Sequence, residues 1–292
     1  MLKKLFSIIF TVILVFSVIS TSLTASAYEV TGLDITAKAG MLVSMDTDEI
    51  LYSNNIDKKM YPASLTKIMT VTLMLESDKY NPESKIAMTK EVQNLISGTG
   101  SAVSNFQIGE EITQLDLVYT VLMSSFGDCA YLAAIYYGGS VDGFVEMMNE
   151  KAVELGLTGT HYSNPVGLHD EGTYTTARDV YTLMSYALKN ETFKEVCGTS
   201  RYTIEATNMS GKRTLSTTNF LLDNTTNYYY QYAKGGKTGY TDEAGRCLVS
   251  FASYNGYNYM CILMNCPNSP QKRYEFAESA ELYRWAYNNF SF

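Results

Sequence analysis

Ser64 and Lys67 stand three residues apart in Tyr61-Pro-Ala-Ser-Leu-Thr-Lys67. On a helix, that spacing puts a hydroxyl and an amine on one face. A serine hydroxyl becomes a useful nucleophile when a neighbouring base takes its proton. A lysine is such a base once burial or a nearby cation holds it neutral. Ser-x-x-Lys alone also describes a solvated helix face, so its meaning depends on what accompanies it. Two further signals follow in order: a break between helices at Ser124-Ser-Phe-Gly127, and Lys237-Thr-Gly239 in a strand-like segment. A phosphate-binding loop is excluded there, because its first glycine would fall at Gln231. A cation and a hydroxyl on an edge strand, with a glycine that admits a ligand to the backbone, suit recognition of a carboxylate.

The elements that must position these residues are legible from periodicity. Residues 37–46 and 49–53 read as two strands around Asp46-Thr-Asp48, and a helix runs from about Ser64 to Glu76. Thr113-Gln-Leu-Asp116 is a capping box that opens a helix through Met123. Helices are expected over 128–137, from a Ser140 cap to Gly156, and over 175–189. The last third changes character, with strands at 201–205, 232–238, 247–254 and 257–264. Asn255-Gly256 marks a hairpin between the last two. Residues 217–230 read as a polar, tyrosine-rich surface loop, and Ser269-Pro270 as the cap of a helix through Asn288. Strands at both ends with helices between them predict an α+β fold in which the two termini build one sheet.

The N-terminus has the grammar of an export signal. Lys3 and Lys4 precede an uncharged apolar run from Leu5 to Ile19, and Ala25-Ser-Ala27 is an A-x-A exit. The run is short for a membrane span, so cleavage after Ala27 is expected rather than a permanent anchor. That divides the chain into a 1–27 signal peptide and a single domain over 28–292. The whole chain carries a formal net charge of −8, which argues against nucleic acid as a partner. Five cysteines are an odd number without a C-x-x-C, and both histidines, His161 and His169, lie far from them in sequence. Free buried thiols are expected, with a Cys261–Cys266 or Cys247 pairing as the alternative, and no metal site or cofactor. The histidines lack the Gly-x-Ser-x-Gly elbow of a Ser-His-Asp hydrolase and read as structural.

The ordered strings then resemble a known family. Pro62-Ala-Ser-Leu-Thr-Lys-Ile-Met-Thr70, Asn164-Pro-Val-Gly-Leu168, Thr176-Ala-Arg-Asp179, Thr218-Asn219 and Gly236-Lys-Thr-Gly-Tyr-Thr-Asp-Glu-Ala-Gly245 are similar to the penicillin-recognising serine acyl-transferases. Among these, the chain is most similar to the secreted low-molecular-mass D-alanyl-D-alanine carboxypeptidases of peptidase family S11. The resemblance implies a five-stranded antiparallel sheet formed from both termini and packed against a helical cluster, with the site between them. It implies a catalytic domain that ends before the C-terminal β domain and membrane anchor many relatives carry. It implies Ser64, Lys67 and Ser125 as catalytic residues, with Lys237, Thr238, Gly239, Tyr240 and Arg273 binding substrate. In that scheme the backbone N–H groups of Ser64 and Tyr240 form the oxyanion hole. The implied substrate is a peptidoglycan stem peptide ending in D-Ala-D-Ala, with β-lactams as covalent inhibitors and the cell envelope as the place of action. Glu154 and Glu195 lack the spacing of a deacylating β-lactamase glutamate, so efficient β-lactam hydrolysis is not expected.

One position departs from the pattern. Relatives show Ser-Gly-Asn at the second motif, and this chain has Ser125-Phe-Gly127. Glycine offers no amide, so a water or Asn105 is expected to fill the gap. Losing a positioned polar group near a reacting centre costs on the order of 10²-fold in rate. The expectation is a slower carboxypeptidase, with a D,D-endopeptidase and a catalytically weak penicillin- and peptidoglycan-binding protein as alternatives.

Overall fold

The computed structural model describes residues 32–290, so the expected 1–27 leader lies outside the described residues. Its centre is a five-stranded antiparallel sheet. The N-terminal part contributes β1 (Ala39–Ser44) and β2 (Ile50–Asn54). A tight 3₁₀ turn, Ala63–Thr66, then runs into α1 (Lys67–Glu76). The middle of the chain is helical but interrupted. It holds β3 (Lys85–Ala87), α2 (Lys90–Ile96), β4 (Glu111–Thr113), α3 (Gln114–Leu122), α4 (Gly127–Gly138), α5 (Val141–Glu154), α6 (Ala177–Ala187) and α7 (Glu191–Gly198). A small hairpin follows, β5 (Arg201–Ile204) with β6 (Arg213–Ser216). The chain returns to the main sheet with β7 (Ala233–Thr241), β8 (Gly245–Tyr254) and β9 (Tyr257–Cys266), and closes with α8 (Tyr274–Asn289).

The sheet order is β2-β1-β9-β8-β7, so strands from both ends of the chain meet at the β1–β9 pair. This is the α+β arrangement expected from the sequence. Both faces of the sheet are buried. Met41, Val43, Met260, Ile262 and Met264 face the helical cluster around α1, while Leu42, Cys261 and Leu263 face α8. Period-two alternation therefore separates two apolar sets rather than an apolar and a polar one. Every residue of α1 from Lys67 to Met74 is buried, which makes it the central helix of the cluster. The capping box at Thr113 and Asp116 forms as expected, with reciprocal side-chain and backbone bonds.

Several boundaries differ from the sequence reading, each for a local reason. Ser64 lies in the 3₁₀ turn before α1 rather than in an α-helical turn. The C-terminal helix begins at Tyr274, not after Ser269-Pro270. An Asn268–Arg273 bridge uses the intervening residues and sets Arg273 at the helix start. The 217–230 segment is no free surface loop. Tyr230 is buried with its ring stacked on Tyr283, and the Tyr228 hydroxyl accepts from the Arg273 N–H at 2.8 Å. α2, α7 and the β3–β4 pair are too short, at seven and eight residues for the helices and three for each strand, to be read from periodicity. All five cysteines are free and buried, so neither pairing forms.

The 164–168 loop turns back onto the start of α1 through one side chain. Asn164 Oδ1 accepts from the N–H groups of Val166, Gly167 and Leu168 at 3.2, 2.8 and 3.1 Å, and Nδ2 donates to Leu168 O at 3.0 Å. Asn164→Ala would orphan three backbone donors, two of them in buried residues. The expected loss is about 2–4 kcal/mol in denaturant unfolding. Asn164→Asp keeps the acceptor and is expected to lose less.

Candidate active site

The 3₁₀ geometry brings the first two functional groups together. Side chains at i and i+3 eclipse in such a turn, and Lys67 Nζ lies 2.9 Å from Ser64 Oγ. The amine also donates to Val166 O at 2.8 Å, so the loop ordered by Asn164 holds the lysine in place. Lys67 is fully buried. Burial drives its pKa down from 10.5 to about 7, against a smaller opposing pull from Asp128 and Cys129. Ser64 is preceded by Ala63 at φ +46°, a left-handed conformation that an alanine adopts only where its surroundings impose it.

Two segments pack against Ala63 there, the 164–168 loop through Gly167, where a Cβ would clash with Ala63 O, and the edge strand. β7 lies directly against the 3₁₀ turn, and a Cβ at Gly239 would come within 2.9 Å of Pro62 O and 3.2 Å of Ser64 N. Only glycine lets the strand backbone approach the nucleophile this closely. The following residue, Tyr240, contributes its backbone beside this contact. Its side chain points away, with the ring under Arg246 and the hydroxyl accepting from Asn268 Nδ2 at 2.7 Å.

Lys237 is the second buried amine. It donates to Ser125 Oγ at 2.9 Å and to Thr238 O at 2.8 Å. Its pKa is lowered far below the ordinary lysine value, first by burial and then by the Lys67 charge. Ser125 sits in the break between α3 and α4 at φ +63°, so the chain reversal there aims its hydroxyl at Lys237. Thr238 Oγ1 lies 2.6 Å from Thr218 Oγ1. Arg273 reaches the same cleft from the start of α8. Its Nε and Nη2 donate to Glu275 Oε1 at 2.7 and 2.6 Å, and its guanidinium lies 4.9 and 4.8 Å from the ring centroids of Phe220 and Phe276, which stack on each other. The cleft encloses about 880 Å³ and is lined by Ser64, Ser125, Thr238, Gly239, Tyr240 and Arg273 among others.

All eight residues singled out in the sequence thus converge on one region, with the two lysines beneath its floor. The structure adds partners that the sequence reading passed over. Val166 O and Thr218 Oγ1 belong to strings that were noted for resemblance only, and nothing in the local pattern marked Glu275. His169 also lies in the cleft wall, its ring edge-on to Tyr61 at 4.7 Å, while His161 bonds the Gly172 carbonyl outside it. Arg178 and Asp179 fix neighbouring loops outside the cleft. Arg178 pairs with Asp57, and Asp179 accepts from Gly159 N and Thr160 Oγ1.

The gap expected at Gly127 is not open, and Asn105 does not fill it. Asn105 is exposed and does not line the cleft. A Cβ built on Gly127 would instead fall 2.3 Å from Ser101 Oγ and 2.9 Å from Ile96 Cδ1. The space next to the motif is already occupied by the loop that follows α2.

Residues 24–268 match the family described as D-alanyl-D-alanine carboxypeptidase. The chain is 33% identical to D-alanyl-D-alanine carboxypeptidase DacF of Bacillus subtilis, over 81% of this chain and 59% of that protein. It is 32% identical to a D-alanyl-D-alanine carboxypeptidase of Streptomyces sp. K15, over 84% of this chain and 86% of that one. The crystal structure of the Streptomyces K15 DD-transpeptidase superposes with a TM-score of 0.82 at 28% identity, covering 89% of this chain and 100% of the other.

A base must be neutral to accept a proton, and Lys67 passes from charged to neutral as pH rises through about 7. Acylation of Ser64 by a fluorescent β-lactam is therefore expected to rise about tenfold per pH unit below that point and level off above it. A rate still climbing at about pH 9 would mean that the amine keeps its ordinary basicity.

Proposed function

The chain belongs to the D-alanyl-D-alanine carboxypeptidase family of serine peptidases, and we propose that it removes the terminal D-alanine of peptidoglycan stem peptides through an acyl-enzyme on Ser64. The observation that carries this reading is the 2.9 Å contact between Ser64 Oγ and a buried lysine whose pKa is drawn to about 7. Ser64 Oγ attacks the carbonyl carbon of the bond between the last two residues, and its proton passes to Lys67. The N–H groups of Ser64 and Tyr240 stabilise the developing oxyanion, a large contribution in acyl transfer. The C–N bond breaks, the proton is delivered to the departing amine, and D-alanine leaves. Water then opens the ester, with Lys67 again as base.

The other groups fit the substrate's charged end. Lys237, Thr238 and Arg273 receive the terminal carboxylate. A carboxylate beside Lys237 would restore the charge that burial suppresses there, so binding and proton uptake are coupled. Ser125, bonded to Lys237 rather than to Lys67, is placed to pass a proton toward the leaving amine. We read residues 28–292 as one catalytic domain and residues 1–27 as its export leader, so the reaction takes place outside the cytoplasm. Among the described residues no helix is long and apolar enough to cross a membrane.

The test compares wild type with Ser64→Ala. Wild type is expected to form a fluorescent penicillin adduct and to release D-alanine from a peptide ending in D-Ala-D-Ala, and Ser64→Ala to do neither. A Ser64-independent adduct would overturn the assignment of the nucleophile. Adduct without D-alanine release would favour a binding protein, and cleavage only of D-alanyl cross-links would favour an endopeptidase.

A further inference from the structure

We propose that Ser101 is a substrate-positioning residue of this site, its hydroxyl taking the place of the side chain that Gly127 lacks. The inference rests on the carboxypeptidase reading of the cleft and adds a residue that the motif pattern does not contain. Three observations carry it. The first is steric: a Cβ on Gly127 would lie 2.3 Å from Ser101 Oγ and 3.1 Å from Ser101 Cβ. A side chain at 127 and the Ser101 hydroxyl in its present rotamer exclude each other.

The second observation is that the serine is held there. Gly127 N donates to Ala102 O at 2.8 Å, fixing the loop to the first residue of α4. The buried Asp128 carboxylate accepts from Ser104 N at 3.0 and 3.1 Å and from Ser104 Oγ at 2.6 Å. Ser101 N donates to Thr99 Oγ1 at 3.3 Å, and Thr99 Oγ1 donates to Ile96 O at 2.8 Å. The loop is thus bolted on both sides of Ser101, and one of the bolts is the residue that follows Gly127.

The third observation is that the hydroxyl is accessible and lightly used. Thr99, Gly100, Ser101 and Ala102 line the same cleft as Ser64 and Ser125. Ser101 Oγ has one long contact, to Ala102 O at 3.4 Å, and so keeps its capacity to donate and accept. The carboxylate end of a bound peptide is taken by Lys237, Thr238 and Arg273. Its acyl part, the portion retained on Ser64, then lies along the wall that Ser101 helps to form. A hydroxyl there meets the acyl peptide as a motif side chain would, from a different segment of the chain. Gly127 is accordingly the cavity that admits Ser101 rather than a lost function.

A swap tests this. Ser101→Ala is expected to lower kcat/KM for D-alanine release, and the rate of acylation by fluorescent penicillin, about 10- to 100-fold. Its thermal midpoint should stay at the wild-type value, since the hydroxyl bonds nothing in the fold tightly. Gly127→Asn alone should be impaired as well, because the new side chain displaces the loop. In Ser101→Gly/Gly127→Asn both Ser101 atoms that crowd the new Cβ are gone, and the flexible end of Ile96 is its remaining near neighbour. The double variant is expected to be at least tenfold more active than the product of the two single losses allows. Wild-type kcat/KM in Ser101→Ala, or a double variant that equals that product, would overturn the inference while leaving the carboxypeptidase reading intact. Absence of any Ser64 adduct on wild type would overturn both.

Discussion

The chemistry of the site depends on two buried lysine amines, Lys67 and Lys237, each bonded to a serine hydroxyl of the cleft. Lys67 and Lys237 are both almost wholly removed from water, and among the described residues neither is paired with a carboxylate. Burying an unpaired charge costs several kcal/mol, and the usual escape is to give up the proton. Hydroxyls and carbonyls surround each amine, groups that accept from it whether or not it is charged. The site thus favours the neutral amine at both lysines by denying them a contacting counter-ion, and the Asp128 charge only partly offsets burial at Lys67. Stability is sacrificed locally for chemistry, a trade common where activity needs a strained or destabilised group.

The rest of the fold can be read as what this arrangement requires. A central helix buried on every side puts Lys67 out of water, and an edge strand brings Lys237 in from the far end of the chain. Gly239 lets that strand touch the turn carrying Ser64, and the left-handed backbone at Ala63 and Ser125 aims both hydroxyls inward. The Asn164 loop supplies the carbonyl that fixes Lys67. The contacts between segments, Lys67 to Val166, Lys237 to Ser125 and Gly239 to the Ser64 turn, all join residues far apart in sequence.

That is also why some features were legible in the sequence and others were not. Capping at Thr113, the hairpin at Asn255-Gly256 and the strands of the main sheet are local patterns, and they appear where expected. The Ser64–Lys67 pair was readable from spacing, and Lys237 and Thr238 from their place beside a glycine on an edge strand. Ser125 was found through resemblance, but its bond to Lys237 depends on a chain reversal with no sequence mark of its own. Ser101 and Glu275 are the clearest cases of what pattern cannot give. One acts through a space left empty in a neighbouring helix, the other through an arginine two residues away. The C-terminal helix start was misplaced because a capping signal at Ser269 was outcompeted by the bridge that delivers Arg273.

The central claim is that Lys67 is held neutral by burial beside Ser64. Its most direct test is an NMR titration of the protein carrying ¹³Cε-labelled lysine, with Lys67 assigned by comparison with Lys67→Met. The account predicts a Lys67 resonance that titrates with a midpoint near 7. A midpoint near the ordinary lysine value of about 10.4 would contradict it and leave Ser64 without a base at neutral pH.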